Sequence, residues 1–528
     1  MIAGRRDLLG LLCCFFLLTF FPLFMNSQTV DEPEHRGYGL KILETGDFSR
    51  GTPETSSKMP VSVLHALPLY VAERLGNPGA ALRLPNAWAN RLFYGGDQFP
   101  CSLAGRIFTV GFSWFLVVTV FRWARELYGE TGGLLSLTLC VFCPNLLAHG
   151  ILMTTDLPVT SLAFVCVYYF RKFLTGGGWA PLVKSAMACG VAQLTKYTAL
   201  HLLPILFLLS LCVRTDFPCR DRIKRFLSVS LVYLAIVLFF INAGFLFRRT
   251  GASLNAYHFQ SESLKKWQSF MTGVNVPIPV PYPYLEGLDE TKFYDENCGA
   301  AGNPYLLGWL QEGTARKGWW SYFLVAFLLK MPTPVLLLLG MCFWLALETR
   351  SSWGEDVFLL IPAAYIFFYF SLFMRAQIGF RYVLPALPFL YVWAGRLASP
   401  RLLKPVYLGI LCLWLSVSTL SYFPFFVSYF NESIGSRKNA YLYLSDSNLQ
   451  FGQENEYAER WLQFHPEASY FPSEEVKPYL LVDANFLTGV RHPELCRWLR
   501  EGYLPVDHVA YGYLLYHVPE PENIKIRT

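Results

Sequence analysis

The most constraining feature of the sequence is an uncharged apolar run near the N-terminus, LLGLLCCFFLLTFFPLFM at residues 8–25. A run of about 18 or more such residues is long enough to cross a bilayer as a helix. Arg5 and Arg6 precede the run, as in a cleavable signal peptide, but no small-x-small cleavage site follows cleanly and many apolar runs come later. The run therefore predicts a transmembrane helix.

Later apolar runs predict ten further spans, so that about 11 transmembrane helices are expected. Only 16% of the residues are charged, against roughly 25% in soluble domains. Several runs are shorter than the roughly 20 residues that a span needs, and a re-entrant hairpin in place of one pair is an alternative that preserves the topology. The ten segments are 107–121, 134–148, 157–170, 182–196, 197–213, 226–247, 331–347, 357–374, 381–396 and 405–427.

The distribution of lysine and arginine predicts the orientation, because short cytoplasmic segments carry an excess of both. With the N-terminus inside, the inner segments hold sixteen of these residues and the short outer loops only three, which are Lys196, Arg375 and Arg381. Three long polar segments, 26–106, 248–318 and 428–528, then lie outside. A protein with nearly all its extramembrane mass on one side is expected to act on that side.

The segment 428–528 has the alternation of a small α/β domain, with helices predicted at 453–464 and 493–501 and strands at 478–483 and 509–518. The predicted fold class is thus an all-α polytopic membrane module, residues 1–427, followed by an extracytoplasmic α/β domain.

Several classes of function are disfavoured by what the sequence lacks. It has no glycine-rich phosphate loop, zinc-ligand spacing, nucleophile-elbow serine or dinucleotide fingerprint. Its net charge of +6 comes without a basic stripe interleaved with aromatics, so nucleic acid is not an expected partner. Most of the 13 cysteines lie in apolar runs, and a bridge between Cys298 and Cys496 is possible but not favoured.

Acidic residues follow two of the predicted spans on the outer side. Asp31 and Glu32 come just after the first span, where a carboxylate can accept a proton from a hydroxyl or amine. Asp156 begins another span in TTDLP, and helix capping by Thr154, Thr155 or Asp156 is the alternative there. An ordinary solvated loop is the alternative for Asp31 and Glu32.

Four basic residues are predicted at the same interface: Lys58, Lys196, Lys330 and Arg381. Each alone is typical of a side chain that anchors a span by reaching toward water. Four on one face also suit a departing lipid phosphate, because lysine and arginine stabilise developing phosphate charge.

Five stretches together resemble the GT-C superfamily of membrane glycosyltransferases. The first three are Asp31-Glu32, Lys58-Met59-Pro60 and NLLAHGILMTTDLP at 145–158. The fourth combines GWWSYFLVAFLLKMPTP at 318–334 with IGFRYVLPALPF at 378–389, and the fifth is YFNESIGSRKNAYLYLSDSNLQFGQ at 429–453. The resemblance is closest to bacterial phospholipid-carrier-dependent enzymes of the protein O-mannosyltransferase and aminoarabinose transferase type.

This resemblance implies an inverting transfer of a sugar from a polyprenyl-phosphate donor to a protein, lipid or glycan acceptor. The site would face the periplasm or exterior from a bacterial inner membrane, in contact with membrane lipids. It implies that Asp31 is the catalytic base beside Glu32, that Asp156 orients the site and that Lys58 contacts the carrier phosphate. Lys196, Lys330 and Arg381 fall on basic positions of the pattern, no cofactor is certain, and a divalent metal stays possible.

The sequence departs from the family pattern at two places. Met59 stands where a proline is usual, and Gln450 and Phe451 replace an aspartate and a tryptophan in the last stretch. A transporter or flippase and a non-catalytic scaffold are the rival functions. Transporters usually carry midplane ionisable residues and inverted repeats, neither of which is evident in this sequence.

Overall fold

The structure is a computed structural model that describes residues 2–50, 57–75, 103–212, 219–271, 276–297, 302–312, 317–349, 353–472 and 477–519. Helices dominate it. In chain order they are α1 Ile2–Met25, α2 Glu32–Thr45, α3 Ser62–Arg74, α4 Leu103–Val141, α5 Pro144–Gly150, α6 Asp156–Gly176, α7 Trp179–Ala192, α8 Leu202–Cys212, α9 Cys219–Gly244, α10 Glu262–Phe270, α11 Tyr282–Asn297, α12 Tyr322–Lys330, α13 Thr333–Thr349, α14 Trp353–Phe373, α15 Leu387–Ala394, α16 Pro405–Leu420, α17 Asn455–Phe464, α18 Ala484–Thr488 and α19 Arg497–Gly502.

The chain is an integral membrane protein by the length and composition of its helices. Within the described residues, five helical stretches are long and apolar enough to cross a bilayer: Arg5–Met25, Ala104–Val141, Asp156–Gly176, Phe226–Gly244 and Gly354–Phe373. A sixth arises if α12 and α13, which meet at a 115° bend, are one broken span. Each of the eleven predicted spans contains a helical segment, but several of these segments are shorter than the span, so the count of eleven stays a prediction.

Two departures from regular helix matter for the position of the site. The predicted spans 107–121 and 134–148 fall largely on α4, where Gly129 has non-helical dihedrals (φ 75°, ψ −174°) that separate two helical parts. The predicted span 381–396 begins as a 3-10 helix, Phe380–Ala386, which precedes α15. Arg381 therefore lies in a 3-10 segment that leads directly into α15.

An aromatic core joins three of the membrane helices. Trp123 of α4 lies 5.0 Å from Phe164 and 5.4 Å from Tyr168 of α6, measured between ring centroids. Phe389 of α15 packs on Phe164 at 5.0 Å. Burial of such rings is a large favourable term in folding, and it fixes α6, which begins at Asp156, relative to α15, which follows the 3-10 segment with Arg381.

The C-terminal region contains a four-stranded sheet of β3 Ala468–Phe471, β4 Tyr479–Asp483, β5 Asp507–Val509 and β6 Tyr513–His517, after a small hairpin, β1 Tyr305–Leu306 and β2 Trp309–Leu310. The strand order is β3-β4-β6-β5, with β3 and β4 parallel and the other pairs antiparallel. The strand predicted at 478–483 is β4 and the helix predicted at 453–464 is α17. The strand predicted at 509–518 begins only at Tyr513, after a turn that follows β5, and the helix predicted at 493–501 is the shorter α19. Strands β3 and β5 are too short for the sequence pattern to indicate.

A segment of 3-10 turns, residues 426–453, lies between the last membrane helix and the α/β domain and packs against the start of α2. Ser27 N donates to the carbonyl of Gln453 at 2.9 Å, and Val30 N donates to that of Phe451 at 3.0 Å. Gly452 has φ +99°, and a Cβ there would lie 3.0 Å from the Gln28 carbonyl oxygen. The close approach brings this segment to the residues that precede Asp31.

Candidate active site

Asp31 occupies the N-cap position of α2, but its carboxylate does not cap the helix. Oδ2 instead accepts a hydrogen bond from Arg381 at 2.6 Å, and Oδ1 lies 3.9 Å from the Lys58 ammonium. The Asp31 side chain is 27% exposed, whereas those of Lys58 and Arg381 are 4% and 9% exposed. Both oxygens of the Asp31 carboxylate thus face cations, while part of the side chain remains exposed at the protein surface.

Lys58 lies in a loop that Arg50 fastens in place. The Arg50 guanidinium donates to the carbonyl of Lys58 at 3.1 Å and to that of Pro283 at 2.7 Å. It also donates to the hydroxyl of Tyr197 at 3.1 Å. Sequence reasoning did not single out Arg50, because its role depends on backbone carbonyls that only folding brings near.

Asp156, at the first turn of α6, joins the same cluster. Its Oδ1 accepts from Lys196 at 2.6 Å, and its Oδ2 lies 3.7 Å from Arg381. The Arg381 guanidinium therefore lies between the carboxylates of Asp31 and Asp156. Thr155, the N-cap residue of α6, makes no side-chain capping bond, so the geometry is that of an ion-pair network and differs from the capping alternative.

Glu32 is adjacent to Asp31 in sequence but points into the protein interior. Its carboxylate accepts two bonds from Arg106, both 2.7 Å, and one each from the backbone N–H groups of Thr29 and Met153, both 2.8 Å. The Glu32 and Arg106 side chains are fully buried. The structure does not bring Glu32 to the accessible face where it was predicted beside the base.

Lys330, at the end of α12, is also directed away from the cluster. Its ammonium donates to the carbonyls of Val427 at 2.7 Å and Asn448 at 2.6 Å, and lies 4.7 Å from the centre of the Phe430 ring. Lys330 thus binds the segment 426–453 rather than the carboxylates. Of the seven predicted site residues, five converge: Asp31, Asp156, Lys58, Lys196 and Arg381.

The electrostatics of the cluster keep Asp31 ionised. Burial alone would raise the pKa of the Asp31 carboxyl, but the charges of Lys58 and Arg381 and the Arg381 hydrogen bond lower it well below its usual range. Burial and the Lys58 charge lower the pKa of His35 well below its ordinary value. The histidine next to the site is therefore neutral at pH 7 and leaves Asp31 as the anion facing the cations.

Within the described ranges, no group of three or more His, Cys, Asp or Glu side chains is arranged to hold a metal ion. The carboxylates of Asp31 and Asp156 are both engaged with cationic side chains. Cys298, the partner considered for Cys496, lies outside the described residues.

Sequence reasoning missed three residues. Arg106 binds Glu32, Phe451 packs on Arg381, and Asp446 lies next to Ser447, which binds the turn that carries Arg381. Arg106 had a signal, since a single arginine at the start of an apolar run usually has a buried partner. The guanidinium carbon of Arg381 lies 4.8 Å from the centre of the Phe451 ring. Phe451 was noted only as a departure from a pattern, and its contact with Arg381 depends on chain segments about seventy residues apart in sequence.

A comparison with protein families finds that residues 87–245 match the model for dolichyl-phosphate-mannose-protein mannosyltransferases. This match confirms the resemblance over that part of the chain. A comparison with curated proteins finds no match.

Among solved structures, the chain is similar to ArnT from Cupriavidus metallidurans in the apo state. The identity is 13%, the match covers 97% of this chain and 98% of that chain, and the TM-score is 0.49. The same protein bound to undecaprenyl phosphate matches at 13% identity over 98% of this chain and 99% of that chain, with a TM-score of 0.46.

Proposed function

We propose that this chain is a membrane glycosyltransferase that moves a sugar from a polyprenyl-phosphate donor to an acceptor at the outer face of the membrane. The observation that carries the proposal is the Arg381 guanidinium, shared between Asp31 and Asp156, with Lys58 and Lys196 beside it. In this proposal Asp31 is the base and the cations beside it bind the carrier phosphate. The family match at 87–245 supports the same donor class.

The proposed reaction is a single displacement at the anomeric carbon. The acceptor hydroxyl or amine loses its proton to the Asp31 carboxylate as its oxygen or nitrogen bonds to that carbon. The bond between the carbon and the phosphate oxygen breaks, and its electron pair leaves with the phosphate. The diester becomes a monoester with one more negative charge, which Lys58 and Arg381 stabilise. Inversion of the anomeric centre follows from one displacement.

The lowered pKa of Asp31 has a consequence for this mechanism. A carboxylate paired with both cations is a weak base. When a donor phosphate binds to Lys58 and Arg381, the two cations are shared between two anions. The pKa of Asp31 then rises toward its ordinary value, because its stabilising charges are partly used elsewhere. The donor thereby makes the base stronger where the acceptor proton must be taken.

Glu32 and Lys330 are proposed as positioning residues. Glu32 ties the turn before α2 to the loop that precedes Asp156, through Thr29 and Met153. Lys330 ties α12 to the segment 426–453 through Val427 and Asn448. Neither group is directed at the space beside Asp31, so their effect on the reaction would come through the geometry of the cluster.

The experiment that tests the donor site measures binding of undecaprenyl phosphate to the purified protein in lipid nanodiscs. Lys58→Ala should weaken binding about 10- to 100-fold, since one charge-assisted hydrogen bond to phosphate is lost. Lys58→Arg should lose less, although arginine presents a different shape. Lys41→Ala is the matched control, because Lys41 lies in the same outer segment but pairs with Asp47 at 2.8 Å.

Equal affinity of wild type and Lys58→Ala would remove Lys58 from the donor site.

A second measurement separates an enzyme from a transporter or scaffold: mass spectrometry of lipid-linked sugars in cells that express Asp31→Asn as their only copy. The unused donor should accumulate while the protein is present at its normal level. Absence of any accumulating lipid-linked sugar would argue against transfer.

A further inference from the structure

The segment 445–453 forms one side of the Arg381 cluster, and it contains an acidic residue that the proposed reaction does not yet use. Ser447 N donates to the Ile378 carbonyl at 3.2 Å, and Phe380 N donates to Oδ1 of Asn448 at 2.8 Å. A Cβ on Gly379 would lie 2.1 Å from Oγ of Ser447. The residue before Ser447, Asp446, is therefore held next to the turn that carries Arg381.

The backbone of Asp446 is in the left-handed region, with φ +58°. This conformation is unfavourable for a residue with a Cβ and persists only where neighbouring contacts hold it. Here Asp446 N donates to Oδ1 of Asn485 at 2.7 Å, and Asn485 Nδ2 donates to the Gln450 carbonyl at 2.8 Å. The α/β domain thus holds a strained residue at the membrane site.

The Asp446 carboxylate has unused capacity to accept hydrogen bonds. Among the described residues it accepts one from Ser447 N at 2.6 Å and forms no ion pair. Arg381 does not turn to it, because that guanidinium is engaged with Asp31 and packed on the Phe451 ring. Burial raises the pKa of Asp446 to about 6 despite the nearby charges of Arg381 and Arg491.

Further buried polar atoms near the cluster lack partners within the same described ranges: Thr29 Oγ1, Thr154 Oγ1 and Arg381 Nε. The two threonines adjoin the buried Glu32 carboxylate, which Thr29 N and Met153 N bind, whereas Arg381 Nε belongs to the guanidinium that binds Asp31. Buried polar groups are nearly always hydrogen-bonded, so Arg381 keeps one unpaired donor at the cluster.

The chemistry of the donor decides which part of it belongs beside Asp446. The phosphodiester has no donor hydrogens, and its charge would be repelled by the carboxylate. A sugar ring carries several hydroxyl or amino donors. We propose that Asp446 binds hydroxyl or amino groups of the transferred sugar. This inference rests on the proposed glycosyl transfer and assigns to Asp446 the selection of the sugar.

The test compares binding of undecaprenyl phosphate with binding of undecaprenyl-phosphate mannose, glucose and 4-aminoarabinose in nanodiscs. Wild type should prefer one of the sugar lipids over the bare carrier. Asp446→Gly should lose this preference by about 10- to 100-fold, because hydrogen bonds to a carboxylate are lost. Its affinity for undecaprenyl phosphate should not change.

Glycine is chosen because it adopts φ +58° without strain, so Asp446→Gly is expected to fold with an unchanged or higher melting temperature. His492→Gly is the matched control, since His492 also has positive φ (+56°) but lies in the α/β domain. It should bind every lipid as wild type does. Asp446→Asn keeps one acceptor oxygen and should fall between wild type and Asp446→Gly.

Three results would overturn the assignment of Asp446: unchanged sugar preference in Asp446→Gly, an equal loss for the bare carrier and the sugar lipids, or a wild type that prefers none of the sugars. A change confined to the acceptor KM would place Asp446 on the acceptor instead and would also overturn it. Failure of the proposed function has a different signature, which is binding of undecaprenyl phosphate that does not respond to Lys58→Ala.

Discussion

Asp31 and Glu32 are adjacent carboxylates with opposite environments. Glu32 is fully buried and accepts four hydrogen bonds, two from Arg106 and two from backbone N–H groups. Asp31 is 27% exposed and faces Arg381 and Lys58, whose side chains are 9% and 4% exposed. Helical geometry turns successive side chains by about 100°, which directs one inward and the other to the outer surface.

The difference shows how to separate a structural charge from a functional one. A carboxylate has about four acceptor positions, and those of Glu32 are all taken, so a ligand has nothing to gain there. Asp31 keeps acceptor capacity, and its cation Arg381 is shared with Asp156. Burial raises and ion pairing lowers the pKa of both carboxyls, and the lowering dominates in each. Protonation state alone therefore does not distinguish them.

The strongest test of this contrast removes the basicity of Asp31. Asp31→Asn keeps shape and hydrogen bonding but should lower turnover by about 10²–10⁴-fold, the usual loss for a general base. Its melting temperature should fall only modestly, because the side chain is 27% exposed and Arg381 keeps Asp156 as a second anionic neighbour. Turnover measured with a purified donor lipid, beside thermal unfolding, checks both parts.

Asp31→Glu should retain a small residual activity, since the base survives but is displaced by one methylene. If Asp31→Asn transferred sugar at the wild-type rate while Glu32→Gln was folded and inactive, the base would have to be Glu32. If both variants were fully active, the site itself would lie elsewhere.

The inward member of the pair should respond in the opposite way. Arg106→Met leaves the buried Glu32 carboxylate without its cation, which should destabilise the folded protein by about 3–5 kcal/mol. Arg497→Met is the matched control, because Arg497 is an exposed arginine that pairs with Glu494 and Glu501 on α19. Fully exposed ion pairs contribute little to stability because water and salt screen them, so its melting temperature should barely move.

A normal melting temperature with lost activity in Arg106→Met would contradict the structural role of the Glu32–Arg106 pair. It would indicate instead that Arg106 acts on a substrate directly. Thermal unfolding of both arginine variants in the same detergent distinguishes these outcomes.

The smallest expected effect is a pH dependence that sharpens the contrast between Asp31 and Asp446. The pKa of Asp446 is raised to about 6 by burial, whereas the pKa of Asp31 is lowered. Between pH 5 and 7 the free protein should therefore change charge at Asp446 but not at Asp31. Affinity for the preferred sugar lipid should fall a few-fold as the pH drops through 6, since a protonated carboxyl accepts hydrogen bonds more weakly.

In Asp446→Asn this acid-side decrease should be absent, while affinity for undecaprenyl phosphate should be the same function of pH in both proteins. The free energy of unfolding depends on pH in opposite senses through Asp446 and through Asp31. A raised folded-state pKa favours the protonated form, so Asp446 stabilises the fold most at pH below its unfolded value and loses this contribution as the pH rises through 6. A sugar affinity independent of pH in wild type would contradict the Asp446 assignment.

Much of the candidate site could be anticipated from the chain alone. Asp31, Asp156, Lys196 and Arg381 lie close to the ends of apolar runs, and a bilayer brings such ends to a common depth, whereas Lys58 lies well inside the long polar segment 26–106. Glu32 and Lys330 fall at similar sequence positions yet are directed to Arg106 and to the segment 426–453. The difference is one of side-chain direction, which depends on partners distant in sequence. The local spacing of residues in the sequence does not identify those partners.

The sequence by itself determined that this is a polytopic membrane protein, because uncharged apolar runs of this length are stable as helices that cross a bilayer. It also indicated that the last hundred residues contain both helices and strands. Only the tertiary structure decided that Arg381 lies between two carboxylates, that Glu32 is enclosed, and that Asp446 reaches the site from the C-terminal segment. Each of these depends on contacts between residues that lie far apart along the chain, and such contacts are set by packing rather than by local pattern.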